Sequence, residues 1–547
     1  MRAFLSVIIL MTISAAAFSQ GLLPNSTIQG DFQTDFQYYY EDSLIGAPDV
    51  PEKLLSNGYL NLLFTSGNFT AGVRYENYQN VMQGFDPRYK GSGIPYRFAE
   101  YRHKDFEITA GNFYEQFGSG MIMRSFEERS LGIDNSIDGI RIKLKPFSGV
   151  YLKAFIGEHR LFFDKCEGIV RGIDGELSLN EFVPKLSTSK WIYNTGARFV
   201  SKYQEDKYPI FKLPENVGAW AGRLNLTNGK IIFNTEYAHK INDPSAINNM
   251  IYKDGEALLI NLGYTIKGFG LMLSGKRIDN MNYRSNRAAT GNILMINYLP
   301  ALTKPHTYTL AAFYPYATQP NGEMGFQGQI NYKFDKGTFL GGKYGTYLAL
   351  NYSRANSIDM QQINDTTAVM ARGTDGYTSD FFTIGDELYF EDFNIEITHK
   401  FSKKVKAIGT YAMINYNSDV IEGHTDGIFY ANVGILDLTY KIQPKKALRL
   451  EMQHLWCAQD EGNWGMAMLE YSIAPKWFFA ALDNYNYGNE DKDKQIHYYM
   501  FSFGYTRNAG RIAISYGKQR EGILCVGGVC RQVPASNGFL VSITSNF

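Results

Sequence analysis

FLVSITSNF, residues 539–547, alternates: Phe539, Val541, Ile543 and Phe547 share one parity, while Ser542, Thr544 and Asn546 share the other. Successive side chains of a β-strand point to opposite faces, so this stretch, once extended, has an apolar face and a polar one. The same alternation opens the chain, where Ile28, Phe32, Phe36 and Tyr38 oppose Gln29, Asp31, Gln33, Asp35 and Gln37. A strand ending on an aromatic residue also occurs in soluble sandwiches, so the residues between these two stretches decide the class.

The alternation recurs throughout, as pairs of strands joined by a short turn and followed by a longer polar segment. Clear short turns fall at 66–68, 103–105, 146–149, 228–229, 267–268, 335–337, 402–404, 444–446, 474–475 and 508–510, with two weaker ones near 179–189 and 300–306. Asn228-Gly229 is the strongest of these, because a two-residue hairpin turn needs positive φ at both central positions. If both ends lie on one side of the sheet, these turns give an antiparallel up-and-down β-barrel of about 26 strands, or 24 if one turn is lost. The longer segments then project from the opposite rim, including 40–54, 77–95, 114–138, 158–166, 203–216, 278–291, 354–385 and 521–537. No blade-like repeat marks a β-propeller.

Of 547 residues, 44% are hydrophobic and 15% aromatic, with Tyr and Phe far outnumbering Trp. Moderate average polarity is compatible with a membrane barrel, whose lipid-facing and lumen-facing residues alternate. Equal numbers of basic and acidic residues, 54 each, give no reason to expect a nucleic-acid partner. The N-terminal MRAFLSVIILMTISAAAFSQ has Arg2, an apolar run from Ala3 to Ile13 and small residues before Gln20. That layout predicts a signal peptide over residues 1–19, with 20–547 forming one exported domain. The run is too short for a permanent span, and export permits disulfides. Strand signals start too early in the mature chain for an N-terminal plug domain.

Chemistry-bearing clusters are sparse. Strand parity places Asp31, Asp35, Arg74, Glu76, Glu107, Arg141, Lys143, Arg223, Glu236, Lys276, Lys333, Glu396, Arg449 and Glu451 on the lumen side, mostly as solvated charges of both signs. Residues 111–139, GNFYEQFGSGMIMRSFEERSLGIDNSIDG, are the least strand-like. Two readings stand: an external loop, or an inward one in which Glu115, Arg124, Glu127, Glu128 and Arg129 line a constriction. Asp134 to Gly139 reads as a turn, lacking the spacing and distal Glu of a calcium loop. The eight His are scattered, with no zinc-type pair and no nucleophile elbow, so no catalytic residue, metal or cofactor is expected. CVGGVC, residues 525–530, fits a hairpin in which Val526 and Val529 flank a Gly527-Gly528 turn and Cys525 opposes Cys530, at a separation compatible with a disulfide. Free thiols are the alternative there, and a second bridge between Cys166 and Cys457 is a weaker one.

Behind a signal peptide, the FLVSITSNF ending resembles the final strand of bacterial outer-membrane barrels, which the barrel assembly machinery reads as a C-terminal signal. Residues 111–139 resemble the Gly-rich charged loop that folds inward in some porin-like barrels. Together these features resemble uncharacterised porin-like outer-membrane barrels of the Bacteroidota type. The resemblance implies an outer-membrane location, contact with the bilayer and lipopolysaccharide, and passive diffusion of small solutes. The alternatives are a structural, assembly or secretion subunit whose external loops bind protein partners, and a barrel enzyme.

Overall fold

The structure, a computed structural model, describes residues 26–526 and 529–547, with the side chains of 524–529 left aside. The expected signal peptide, 1–19, lies outside the described residues. A 24-stranded antiparallel sheet closes on itself. Its first strand, Ser26–Tyr40, pairs with Leu54–Ser66 on one side and with the last strand, Ser536–Asn546, on the other.

The register explains why the two end stretches alternate. Phe539, Val541 and Ile543 stand opposite Tyr516, Ile514 and Ile512, while Ser542 and Thr544 stand opposite Ala513 and Arg511. Phe539, Ile512 and Ile514 are exposed on the outer surface. Aromatic residues collect near both rims: Tyr40 and Tyr516 flank Phe539 at ring separations of 6.5 and 4.6 Å near the long-loop rim, and Trp477 lies 5.7 Å from Phe503 and 4.3 Å from Tyr505 near the short-turn rim. An apolar outer belt between two aromatic girdles is the surface of an outer-membrane-type barrel. No separate plug domain occurs among the described residues.

The strand number is 24 rather than 26 because the turn expected at 300–306 is absent. Residues 280–321 run as one segment between the strands Phe269–Asp279 and Gly322–Phe334. Pro300, Pro305, Pro315 and Pro320 interrupt this segment, and proline has no N–H for a sheet ladder. Its apolar residues are buried against the inner wall instead. Ile296 joins Met121, Ile122 and Met123 of the 114–136 segment in one cluster with inward-facing Val200, Val217, Ala219, Ala221 and Ala238. Leu310 and Tyr314 join a second cluster with Ala412, Ile414, Val433 and Leu455. Each Ile or Met so buried stabilises by about 1.5–3 kcal/mol relative to exposure. Where these segments pack, the wall toward the long-loop rim offers small apolar residues beside buried ion pairs, and toward the short turns it is polar. In the strand Asn216–Thr227, for example, Val217, Ala219 and Ala221 give way to Arg223 and Asn225.

Candidate functional site

Two inward segments, 114–136 and 280–321, occupy the lumen. Ser119 N–H donates to Glu236 of the strand Ile231–Lys240 (3.0 Å), and Arg129 donates to Gln33 of Ser26–Tyr40 (3.0 Å). Those strands are far apart around the ring, so a segment that touches both lies inside it. The two segments also hold each other. Arg124 N–H donates to the Ile296 carbonyl (2.8 Å), Tyr298 N–H to the Gly120 carbonyl (2.9 Å), and the Arg124 guanidinium lies 4.0 Å from the Tyr298 ring centroid. Gly118, at φ +53°, allows the close approach to Arg198, whose guanidinium a Cβ would strike.

The 126–136 end is fastened by buried charge. Arg74 pairs with Glu76 (2.7 Å), Glu127 (2.9 Å) and Asp134, and Arg160 pairs with Glu76 and Asp134 (2.6 Å each). Arg129 adds a bond to Glu127 (2.6 Å). Three cations therefore meet three carboxylates, and no net charge is buried. Burial works against the Asp134 carboxylate, but Arg160 and Arg74 outweigh it and hold its pKa below the ordinary carboxylate range. Both oxygens of Asp134 are thereby engaged, one by Arg74 and Arg160 and the other by Ser136 N–H, so this turn offers no free cation ligand.

This ion cluster partitions two cavities. On the long-loop side lies a cavity of about 570 Å³ lined by Arg88, Leu131, Asp134, Arg160, Asn292 and Arg531. On the short-turn side lies one of about 910 Å³ lined by Gln29, Asp31, Asn61, Arg74, Glu127 and Arg129. A third, of about 470 Å³, lies under residues 116–119 and beside Lys153, Arg223 and Glu236.

The residues expected to form a constriction are inside the barrel but tied to separate partners. Glu115 bonds Lys153 (2.9 Å) and faces Arg141 (3.6 Å); Arg124 stacks on Tyr298; Glu128 accepts from Ser130 N–H (3.2 Å) as a turn cap. Glu127 and Arg129 belong to the ion cluster. The lumen charges are largely buried in pairs, not solvated as expected, because the inward segments exclude water from the wall. Arg141 bonds Glu107 (3.0 Å), which also takes Lys143 (3.1 Å); Arg223 bonds Asp174 (2.6 Å); Arg449 reaches Asp437 (2.9 Å) and Glu451. Asp31 and Asp35 stay partly accessible. Parity also points to Arg198 and Lys202, fully buried beside Glu236 and Asp243, although the sequence reading singled out neither.

In the last long loop, strands Gly522–Val526 and Val529–Val533 pair with Cys525 opposite Cys530 and Val526 opposite Val529, the register expected for CVGGVC. Gly527, Gly528 and the Cys525 side chain lie outside the described residues. Arg531 Nε donates to the Ser130 carbonyl (2.9 Å) and its guanidinium lies 4.3 Å from the Phe85 centroid, so the hairpin leans over the 114–136 segment. Cys166 and Cys457 are buried free thiols and do not pair.

No curated protein matches the chain. Among solved structures, the translocation pore of the P pilus usher PapC is similar at TM-score 0.44 and 8% identity, covering 95% of this chain and 99% of that one. A mutant of the ferric enterobactin receptor PfeA from Pseudomonas aeruginosa is similar at 0.42 and 10%, covering 95% and 80%. OccAB4 from Acinetobacter baumannii is similar at 0.35 and 9%, covering 96% and 99%. The full length, residues 1–547, matches the model of a family described as "Family of unknown function (DUF6029)", and the protein belongs to that family.

Proposed function

We propose that the protein resides in the bacterial outer membrane and lets small solutes diffuse passively through its lumen, along a path gated by the Arg74–Asp134–Arg160 ion cluster. The observation that carries this reading is the pair of cavities on opposite sides of that cluster. A barrel of this strand number is wide enough to conduct if its inward segments yield. An exported Bacteroidota protein, with a bridge between Cys525 and Cys530 stiffening the hairpin at the mouth, is part of the same reading. Conductance of the purified protein in planar bilayers tests it. The natural protein is expected to pass current, and a variant lacking residues 120–130 to pass several-fold more. Zero current from both would sink the proposal.

A structural or assembly subunit is the second reading, supported by the complete burial of Met121, Ile122 and Met123 in the lumen. It expects a closed barrel that copurifies with a partner after crosslinking through the external loops.

A further inference from the structure

The inner wall carries a row of neutral hydrogen-bonding side chains that crosses from strand to strand and meets charged partners only at its far end, at Asn394. Read strand by strand, Asn194 stands opposite Asn225, Asn225 opposite Asn234, Asn234 opposite Asn261, Asn261 opposite Ser274, and Ser274 opposite Gln327. Asn194 has the parity of Arg198, Asn234 that of Glu236 and Ser274 that of Lys276, all of which face inward. The row continues through Asn351, which accepts from Gln327 (2.8 Å) and stands opposite Asn394. Asn394 in turn accepts from Lys304 of the inward 280–321 segment (3.1 Å). One uninterrupted row thus runs from the cavity under residues 116–119, whose lining includes Asn225, Asn234 and Asn261, to the foot of the second inward segment.

We infer that this row is a binding track for neutral, polyhydroxylated solutes of the oligosaccharide class, an inference that rests on the channel reading above. Each amide offers both a donor and an acceptor, as each sugar hydroxyl does. Neighbouring strands repeat every 4.7–4.9 Å or so, a step comparable to one pyranose ring, so successive rings meet successive amides. The charges beside the track are engaged with one another: Arg223 holds both Asp174 and Glu176 (2.6 and 2.7 Å), and Lys153 holds Glu115. An anionic solute finds both of these cations already held by carboxylates, and an apolar one strands amides that need partners.

The test is maltotetraose added to the full-length protein in planar bilayers. Transient block of the ion current is expected, with tetraglycine of similar length far weaker. The triple variant Asn225→Leu/Asn234→Leu/Asn261→Leu is expected to raise the half-blocking concentration about tenfold or more, at near-natural ion conductance, because each lost hydrogen bond removes about 1 kcal/mol and 1.4 kcal/mol is tenfold. Asn234→Gln, which keeps an amide, is expected to retain most of the block. Equilibrium dialysis of maltotetraose against the detergent-solubilised protein separates the two claims. No current with amide-dependent sugar binding overturns the channel and keeps the track. Current without block, or block indifferent to the triple variant, overturns the track and leaves the channel.

Discussion

Two adjacent arcs of the wall, each of eight strands, are built on the same antiparallel ladder and filled differently. The arc from Ser26 to Ser178 turns charges inward, and those charges clamp the 114–136 segment by Arg74, Glu76, Arg141 and Arg160. The arc from Ile192 to Lys400 adds apolar packing of the inward segments to buried pairs of its own, such as Lys202–Asp243 and Lys276–Glu323, and presents neutral amides below them. Ion pairs fix a segment in one register, since removing one partner leaves a buried charge exposed to a low dielectric. Amides tolerate exchange of one partner for another. The first arc therefore anchors its segment in one register, whereas the amides of the second leave theirs free to exchange partners.

The sharpest way to break this contrast is Arg74→Ala. It strips a cation from Glu76, Glu127 and Asp134, and a loss of about 3–5 kcal/mol is expected, seen as a lowered unfolding midpoint and proteolysis within 126–136. Equal loss from Asn234→Ala would erase the distinction between the arcs. Ile122→Ala probes the apolar hold instead; a cavity costing about 2–5 kcal/mol is expected, with the ion cluster, and hence cleavage within 126–136, unaffected.

Acid should loosen the ion cluster of the first arc. The folded Asp134 pKa lies below its unfolded value, so its stabilisation is present above about pH 4 and is lost as pH falls through the lower folded pKa. Protease sensitivity of the 126–136 end should rise on stepwise acidification from pH 5 to pH 2, a step that Asp134→Asn lacks. At the mouth, alkylation of the denatured protein without reductant should modify two thiols, Cys166 and Cys457, and with reductant all four; reduction should cost the hairpin about 2 kcal/mol. The smallest effect is expected from Asn225→Asp/Asn261→Asp. It gives the amide arc net negative charge and should shift the reversal potential modestly toward cation preference without altering stability.

The barrel was legible because a strand with one lipid face and one inner face must alternate, and FLVSITSNF and Ile28 to Tyr38 state that pattern plainly. Turn residues located nearly every hairpin. The failure at 300–306 has a local cause: Pro300 and Pro305 look like turn signals, yet they break up a segment that never enters the sheet. Parity assigns Arg74, Glu107 and Arg223 to the lumen face, but their burial in ion pairs follows from contacts between positions remote in sequence, such as Arg74 with Glu127 and Asp134. Inward Val217, Ala219 and Ala221 were the available sign that something apolar fills the outer half of the lumen. The amide row is invisible along the chain, because its members become neighbours only through the register of eight different strands.

The seam where Ser26–Tyr40 meets Ser536–Asn546 has a kinetic consequence. Tyr39 donates to the Ala535 carbonyl across 496 residues of sequence, and contacts of such separation form slowly because the entropy of the intervening chain must be surrendered first. Until they form, both strands are bare edges able to pair with another molecule. The last ring of hydrogen bonds is therefore a race between self-closure and aggregation.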